Sequence, residues 1–305
     1  MKKDPNIYTD LHTLRGLKYK AKGFDFLPLQ PVNSLLNGRH VSRLRGRGLN
    51  FEEMRHYHIG DDIRSMDWKV TMRTGKPHVK IFSEERERNV YLLVDQRSSM
   101  FFGSTEKTKS VIAAELAALI AWRVIETTDR VGAIVFDDNN ATSIAPQRSA
   151  NHVLTLLNEI VRRNHKLKVG EKAECQTNSF AKALTQAQRL VKHDGLVILI
   201  SDGYGYRDNS EEQIKTLCQR NDLILCHVTD PLEHQLAGLD SMIVSDGQLQ
   251  VAVSAKDKLR DDFNQDVVRA IEAFKKVAKK YRVPVLPFNT LESSDVQLRR
   301  ALGAN

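Results

Sequence analysis

A chain of 305 residues with 41% apolar and 28% charged side chains can bury a real core, as one large domain or two modest ones; its composition is that of an ordinary globular protein, and the sequence holds no internal repeat or low-complexity tract. Three cysteines, Cys175, Cys218 and Cys226, are odd in number and lack C-x-x-C spacing, which argues for free thiols in a reducing compartment and against a disulfide frame or a zinc site. The formal charge is +8, and residues 1–88 carry nearly all of the excess, with 18 Lys and Arg against 11 Asp and Glu, so an acidic partner, a nucleic acid or a membrane surface would suit that end.

In chain order, Leu11, Leu14 and Leu17 are spaced for one face of a short peripheral helix within residues 1–20. Pro28, Pro31 and Gly38 break the pattern, and a basic, glycine-punctuated loop follows with Arg39, Arg43, Arg45 and Arg47. Gly60-Asp61-Asp62 marks a turn, and Asp62 is placed to cap a short helical turn towards Trp68. His78–Phe82 alternates as a strand. From Asn89 the chain switches to strand–helix alternation. Strands are expected at Val90–Val94, Val131–Phe136, Thr142–Ile144 (a short edge), Leu196–Ile200, Leu223–Val228 and Val283–Phe288, with a hairpin about Asp246-Gly247. Helices are expected at Thr108–Thr127, Asn151–Arg163 with Leu154, Leu157 and Val161 inward, Ser179–Val191, Glu211–Gln219, Leu259–Tyr281 and from Ser293 or Ser294 onward. Such alternation implies an α/β fold, a doubly wound and mostly parallel sheet. The expected division is a basic N-terminal extension, residues 1–85, and an α/β domain, residues 86–305.

Two of the strands end alike. The run Asn89-Val90-Tyr91-Leu92-Leu93-Val94 stops at Asp95, and Leu196-Val197-Ile198-Leu199-Ile200 stops at Ser201-Asp202. In an open α/β sheet, ligands bind beyond the carboxyl ends of the strands, so both acids are aimed at one site. An acid ending a strand also commonly caps a helix or starts a turn, and either alone would be ordinary.

Together with Ser99 and Thr177, these two aspartates resemble the von Willebrand factor A-type fold and its metal-ion-dependent adhesion site, where D-x-S-x-S, a later Thr and a later Asp assemble. The match holds for Asp95, Ser99, Thr177 and Asp202; position 97, a serine in the motif, is Arg97. The resemblance implies oxygen ligands for magnesium or manganese. A guanidinium never ligates a cation, so Arg97 turned inward would replace the metal's charge, and turned outward would leave a site one ligand short. The longer string Arg43, Arg45-Gly46-Arg47-Gly48, Phe51-Glu52, Arg55, Tyr57, Gly60-Asp61-Asp62-Ile63-Arg64 and Asp67-Trp68, running into the first aspartate strand, is similar to the family catalogued as domain of unknown function 58. Its members are commonly encoded beside MoxR-type AAA+ ATPases, and the resemblance implies an adaptor or cofactor of such an ATPase. Many members carry N-terminal membrane helices. Here no signal-peptide core precedes the fold, and the longest apolar stretch, Val111–Trp122, holds Glu115 and is too short to span a bilayer.

The expectation is a cytoplasmic, non-enzymatic interaction module that meets its partner through a rim of Asp95, Arg97, Ser99, Thr177 and Asp202. Two alternatives stand beside it. Arg39, Arg43, Arg45 and Arg47 suit the phosphates of a nucleic acid, although few aromatics interleave with them. His56, His58, Asp61 and Asp62 could be drawn as the metal or acid–base set of a hydrolase, although ion pairing with Arg55 and Arg64 would explain the acids as well. Trp68, Phe101 and Phe102 are either contacts or core, and Cys218 and Cys226 read as core thiols.

Overall fold

The computed structural model describes residues 4–22, 50–83, 87–168, 179–204, 206, 210–234, 241–245, 250–254 and 272–303. The chain forms two compact units, residues 32–87 on the one hand and residues 1–31 with 88–305 on the other. Residues 1–31 therefore group with the α/β unit, not with the N-terminal extension in which the sequence places them. Burial explains it. Tyr8, Leu14 and Ala21 are buried, and Leu14 lies in the same apolar core as Trp122. The Trp122 indole N–H donates to the Leu14 carbonyl at 3.2 Å, and Thr9 N–H donates to Asn164 Oδ1 at 2.9 Å. The expected peripheral helix is Leu11–Gly16, capped by Asp10.

In the small unit, β1 (Asn50–His56) pairs antiparallel with β2 (His78–Ser83), with a bulge between Phe51 and Glu53. Asp62 caps the turn Ile63–Ser65 by accepting Arg64 N–H at 3.0 Å. A second cap, Asp67, accepts Val70 N–H at 3.0 Å and starts the helix Trp68–Thr74. Neither β1 nor this helix is apparent from the apolar pattern.

The large unit is built on a six-stranded sheet. Its strands are β3 (Asn89–Asp95), β4 (Arg130–Phe136), β5 (Ala141–Gln147), β6 (Leu196–Ser201) and β7 (Asp222–Thr229), and, after an antiparallel pair of β8 (Ser241–Ser245) and β9 (Gln250–Ser254), β10 (Val285–Asn289). The order is β10-β7-β6-β3-β4-β5, parallel throughout except for β5 against β4. This is the expected doubly wound, mostly parallel sheet. Parallel strands covered on both faces must be apolar on both, which is why β3 and β6 read as unbroken apolar runs.

One face packs on the helices Lys109–Glu126, Ala150–Asn164 and Ser294–Ala301. The other carries Ser179–Leu190, Glu211–Arg220 and a helix over 272–280. The Lys109–Glu126 helix is buried nearly all round, because its alanines let sheet and neighbouring helices approach it closely. In Ala150–Asn164 the fully buried apolar positions are Val153, Leu156, Leu157 and Ile160, while Leu154 and Val161 are half-buried. No helix among the described residues is long and apolar enough to cross a membrane.

Candidate functional site

The order of the sheet fixes where a site can form. From β3 the chain crosses to β4 on one side, while β6 flanks β3 on the other. The carboxyl ends of β3 and β6 thus flank the switch point of the winding, where a doubly wound sheet opens a crevice. Asp95 ends β3, and Asp202 follows β6 directly.

Arg97 turns inward. After Asp95 the chain bends into the turn Ser98–Met100, and Arg97 N–H donates to Asp95 Oδ1 at 3.1 Å. The side chain then folds back on the same carboxylate in a bidentate pair, Nε to Oδ1 at 2.9 Å and Nη2 to Oδ2 at 2.6 Å. A second acid, Asp202 Oδ1, lies 3.7 Å from Nη2. The guanidinium is also flanked by aromatic rings, 5.6 Å from the Phe136 centroid and 5.2 Å from that of Phe180. Planar delocalised charge suits this stacked, forked geometry, and a lysine ammonium would not reproduce it.

Three side chains not singled out from the sequence complete the cluster. Ser201 Oγ donates to Asp95 Oδ2 at 2.6 Å. Lys109, at the start of the central helix, donates to Asp202 Oδ2 at 2.9 Å and pairs also with Glu233. The order Asp95, Arg97, Asp202, Lys109, Glu233 alternates in charge. All but Glu233 are buried, with Asp95 at 0% and Asp202 at 2% exposure. Burial pushes the Asp95 carboxyl above its ordinary value, against the pull of Arg97. Burial also opposes ionisation of Asp202, but Lys109 and Arg97 outweigh it and hold that carboxyl at about 2. Lys109 is raised by Asp202 and Glu233 in spite of its burial.

This donor set does not fit a divalent ion. Magnesium requires free oxygen ligands in near-octahedral array. Both oxygens of Asp95 are occupied by Arg97 and Ser201, and a permanent cation sits between the two aspartates. Ser99 Oγ, the matching hydroxyl, is buried without a hydrogen-bond partner among the described residues. Thr177 lies outside the described residues, as do Arg39, Arg43, Arg45, Arg47 and Cys175. Among the described residues no cluster of three His, Cys, Asp or Glu side chains is placed to hold a metal.

The expected contact rim needs correction on the same grounds. Asp95, Arg97 and Asp202 are buried, so they shape the carboxyl end from within and do not themselves face a partner. The side chains around them are Ser98, which is exposed and bonds Asp138, and the half-buried Ser99, Phe101 and Phe102. In the small unit, Arg55 holds Asp61 in a bidentate pair at 2.6 and 2.8 Å, and the His56 ring lies 4.4 Å from that of His78. Asp62 serves as the turn cap described above. Cys226 is a buried thiol and Cys218 a half-buried one, and burial pushes both up to about 12.

His227 on β7 borders the cluster, with Nε2 3.1 Å from the Asp202 carbonyl. Burial, with Lys275 nearby, lowers its pKa from 6.5 to about 4, so the native ring is neutral at pH 6 and donates to that carbonyl. The unfolded chain binds this proton first, so stability falls as pH drops from about 6.5 to about 4, by roughly 3 kcal/mol at 1.36 kcal/mol per unit. Denaturant melts across that range are expected to show the loss in wild type and a shallower one in His227→Gln; equal slopes would remove His227 from the account.

Comparison with known proteins places the chain in a family. The family model described as "Protein of unknown function DUF58" matches residues 53–273. The uncharacterized protein Mb1516 of Mycobacterium bovis is 28% identical over 262 residues, covering 85% of this chain and 77% of that protein. The uncharacterized protein Rv1480 of Mycobacterium tuberculosis shows the same figures. Among solved structures, the conserved hypothetical protein BatB from Bacteroides thetaiotaomicron matches 70% of this chain and 95% of its own, at 14% identity and a TM-score of 0.42. The SpRpn10 VWA domain matches 70% and 95%, at 12% identity and a TM-score of 0.41. The strand order, not these likenesses, establishes the fold.

Proposed function

The chain belongs to the DUF58 family, and from that premise we propose that it is a protein-interaction module, an adaptor or cofactor of a MoxR-type AAA+ ATPase, whose contact face is the carboxyl end of the sheet. The supporting observation is the guanidinium seated between Asp95 and Asp202. It holds the surrounding loops in one shape with charge supplied from within the chain. A preshaped face of this kind binds without first recruiting an ion, and less ordering cost accompanies association. Ser98, Phe101, Phe102, Asp138 and Asn139 supply its outer side chains.

The test is recovery of the tagged chain from its native lysate with and without ATP and Mg²⁺, read by mass spectrometry. A MoxR-type ATPase is expected in a nucleotide-dependent manner. Asn139→Arg, a change at an exposed loop position, is expected to reduce recovery about tenfold while leaving the melting temperature unchanged. Absence of any such ATPase, or full recovery by the variant, would sink the proposal. Salt-sensitive nucleic acid in its place would move the functional centre to Arg39, Arg43, Arg45 and Arg47.

A further inference from the structure

Eight large apolar side chains stand exposed among the described residues, and half of them crowd into residues 59–72 of the small unit: Ile59 at 102%, Ile63 at 59%, Trp68 at 60% and Met72 at 85%. Single exposed apolar residues need no explanation, but four in one short stretch do. The helix Trp68–Thr74 shows how the stretch is oriented. Thr71 Oγ1 accepts His78 N–H at 3.1 Å, which ties one side of the helix to β2. Trp68 and Met72, one turn apart, form an outward ridge, and Lys69 and Arg73 form the adjacent one. The turns at Gly60 and Gly75 have φ of +106° and +70°, and nothing lies within 4 Å of where a side chain would begin. The stretch is therefore open at both of its turns.

Its charge is one-sided. Asp61 is neutralised by Arg55 and Asp67 by Lys80 at 2.9 Å, which leaves Asp62 as an exposed acid. Arg64, Lys69, Arg73 and Lys76 are exposed and make no ion pair among the described residues. Bulky exposed apolar tips, with unpaired cations of one sign beside them, match the chemistry of a bilayer interface. There aromatic and aliphatic side chains enter the headgroup boundary and Lys and Arg meet lipid phosphates.

We propose that residues 59–76 form a docking surface for an anionic phospholipid membrane, with Ile59, Ile63, Trp68 and Met72 inserted at the interface and Arg64, Lys69, Arg73 and Lys76 on the phosphates. The association is peripheral, and it is independent of the face assigned to a protein partner above.

The test is co-sedimentation of the full chain with vesicles of phosphatidylcholine alone or with about a third phosphatidylglycerol. Binding is expected to the anionic vesicles, to weaken with salt, and to fall about tenfold in Trp68→Ser/Met72→Ser and in Lys69→Glu/Arg73→Glu. All four side chains are exposed, so folding is expected to survive, and unchanged circular dichroism melts confirm it. No sedimentation with anionic vesicles would overturn the proposal, as would wild-type binding by either double variant. Self-association that Trp68→Ser/Met72→Ser abolishes, without vesicle binding, would reassign the surface to contact between copies of this chain.

Discussion

Arg97→Ser is expected to lower stability by about 3–5 kcal/mol, the usual cost of stranding a buried charge by removing its partner. Asp95 is wholly buried and takes three of its contacts from Arg97, one from the main chain and two from the guanidinium. In the variant the two guanidinium bonds are gone, and only neutral donors, Ser201 Oγ and the main-chain N–H of residue 97, are left to offset that charge. Adding Asp95→Ser should recover part of the loss, since the two residues act as one unit and their effects are not additive. Arg97→Ser on its own restores the spacing D-x-S-x-S at residues 95–99, with room where the guanidinium lay. Millimolar Mg²⁺ or Mn²⁺ is therefore expected to raise the melting temperature of Arg97→Ser by mass action and to leave wild type unmoved. Lys109 remains on Asp202 and keeps the gained affinity weak. Equal melting of variant and wild type would show that Arg97 does not hold the site together, and a metal-dependent rise in wild type would show that it does not fill it.

The second large effect is at Lys109. Its side chain is 2% exposed and joins Asp202 to Glu233. Lys109→Met keeps the apolar stem and removes the charge, leaving Asp202 with Arg97 at 3.7 Å. A loss of about 3–5 kcal/mol is expected, seen as a fall of roughly 10 °C in melting temperature. The response to acid separates this from a packing defect. In wild type the Asp202 pKa is depressed from 3.8 to about 2, so its contribution is complete above pH 3.8 and is lost as pH falls towards 2. In the variant the depression due to Lys109 is lost while burial still opposes ionisation, so the ionised carboxylate is less stabilised than in wild type and protonation removes the difference. The deficit of the variant should then shrink as pH is lowered. A deficit independent of pH would mean that Lys109 contributes packing alone.

The sheet was legible because β3, β4, β6 and β7 are buried on both faces, and such strands are written as unbroken apolar runs. In the small unit β1 was not legible: Asn50-Phe51-Glu52-Glu53-Met54-Arg55-His56 has no alternation, and pairing with β2 defines it as a strand. The helix Trp68–Thr74 did carry local signals, Asp67 before it and Gly75 after it, but seven residues containing a Val and two Thr give little periodicity to set against them. At the site, Asp95 and Asp202 were legible from their places at strand ends. Ser201 had a signal too, as a hydroxyl closing an apolar run. Lys109 and Glu233 had none, because such an ion pair is chosen by tertiary approach between segments 124 residues apart. The inward turn of Arg97 was one of two alternatives open in the sequence, and the rings of Phe136 and Phe180, distant along the chain, favour it.

The partner of Asp95 also sets a sequence of events during synthesis. Arg97 is two residues away, so the pair needs no distant segment to bring its two members together. Ser201 arrives 106 residues later and completes the carboxylate from the far strand. A metal site built from D-x-S-x-S, a later Thr and a later Asp would leave its first aspartate bare until those distant loops were in place. Contacts that far apart close slowly, and exposed, half-paired intermediates are where growing chains go astray. With a guanidinium in the place of an ion, the first acid of this fold carries its counter-charge within its own loop.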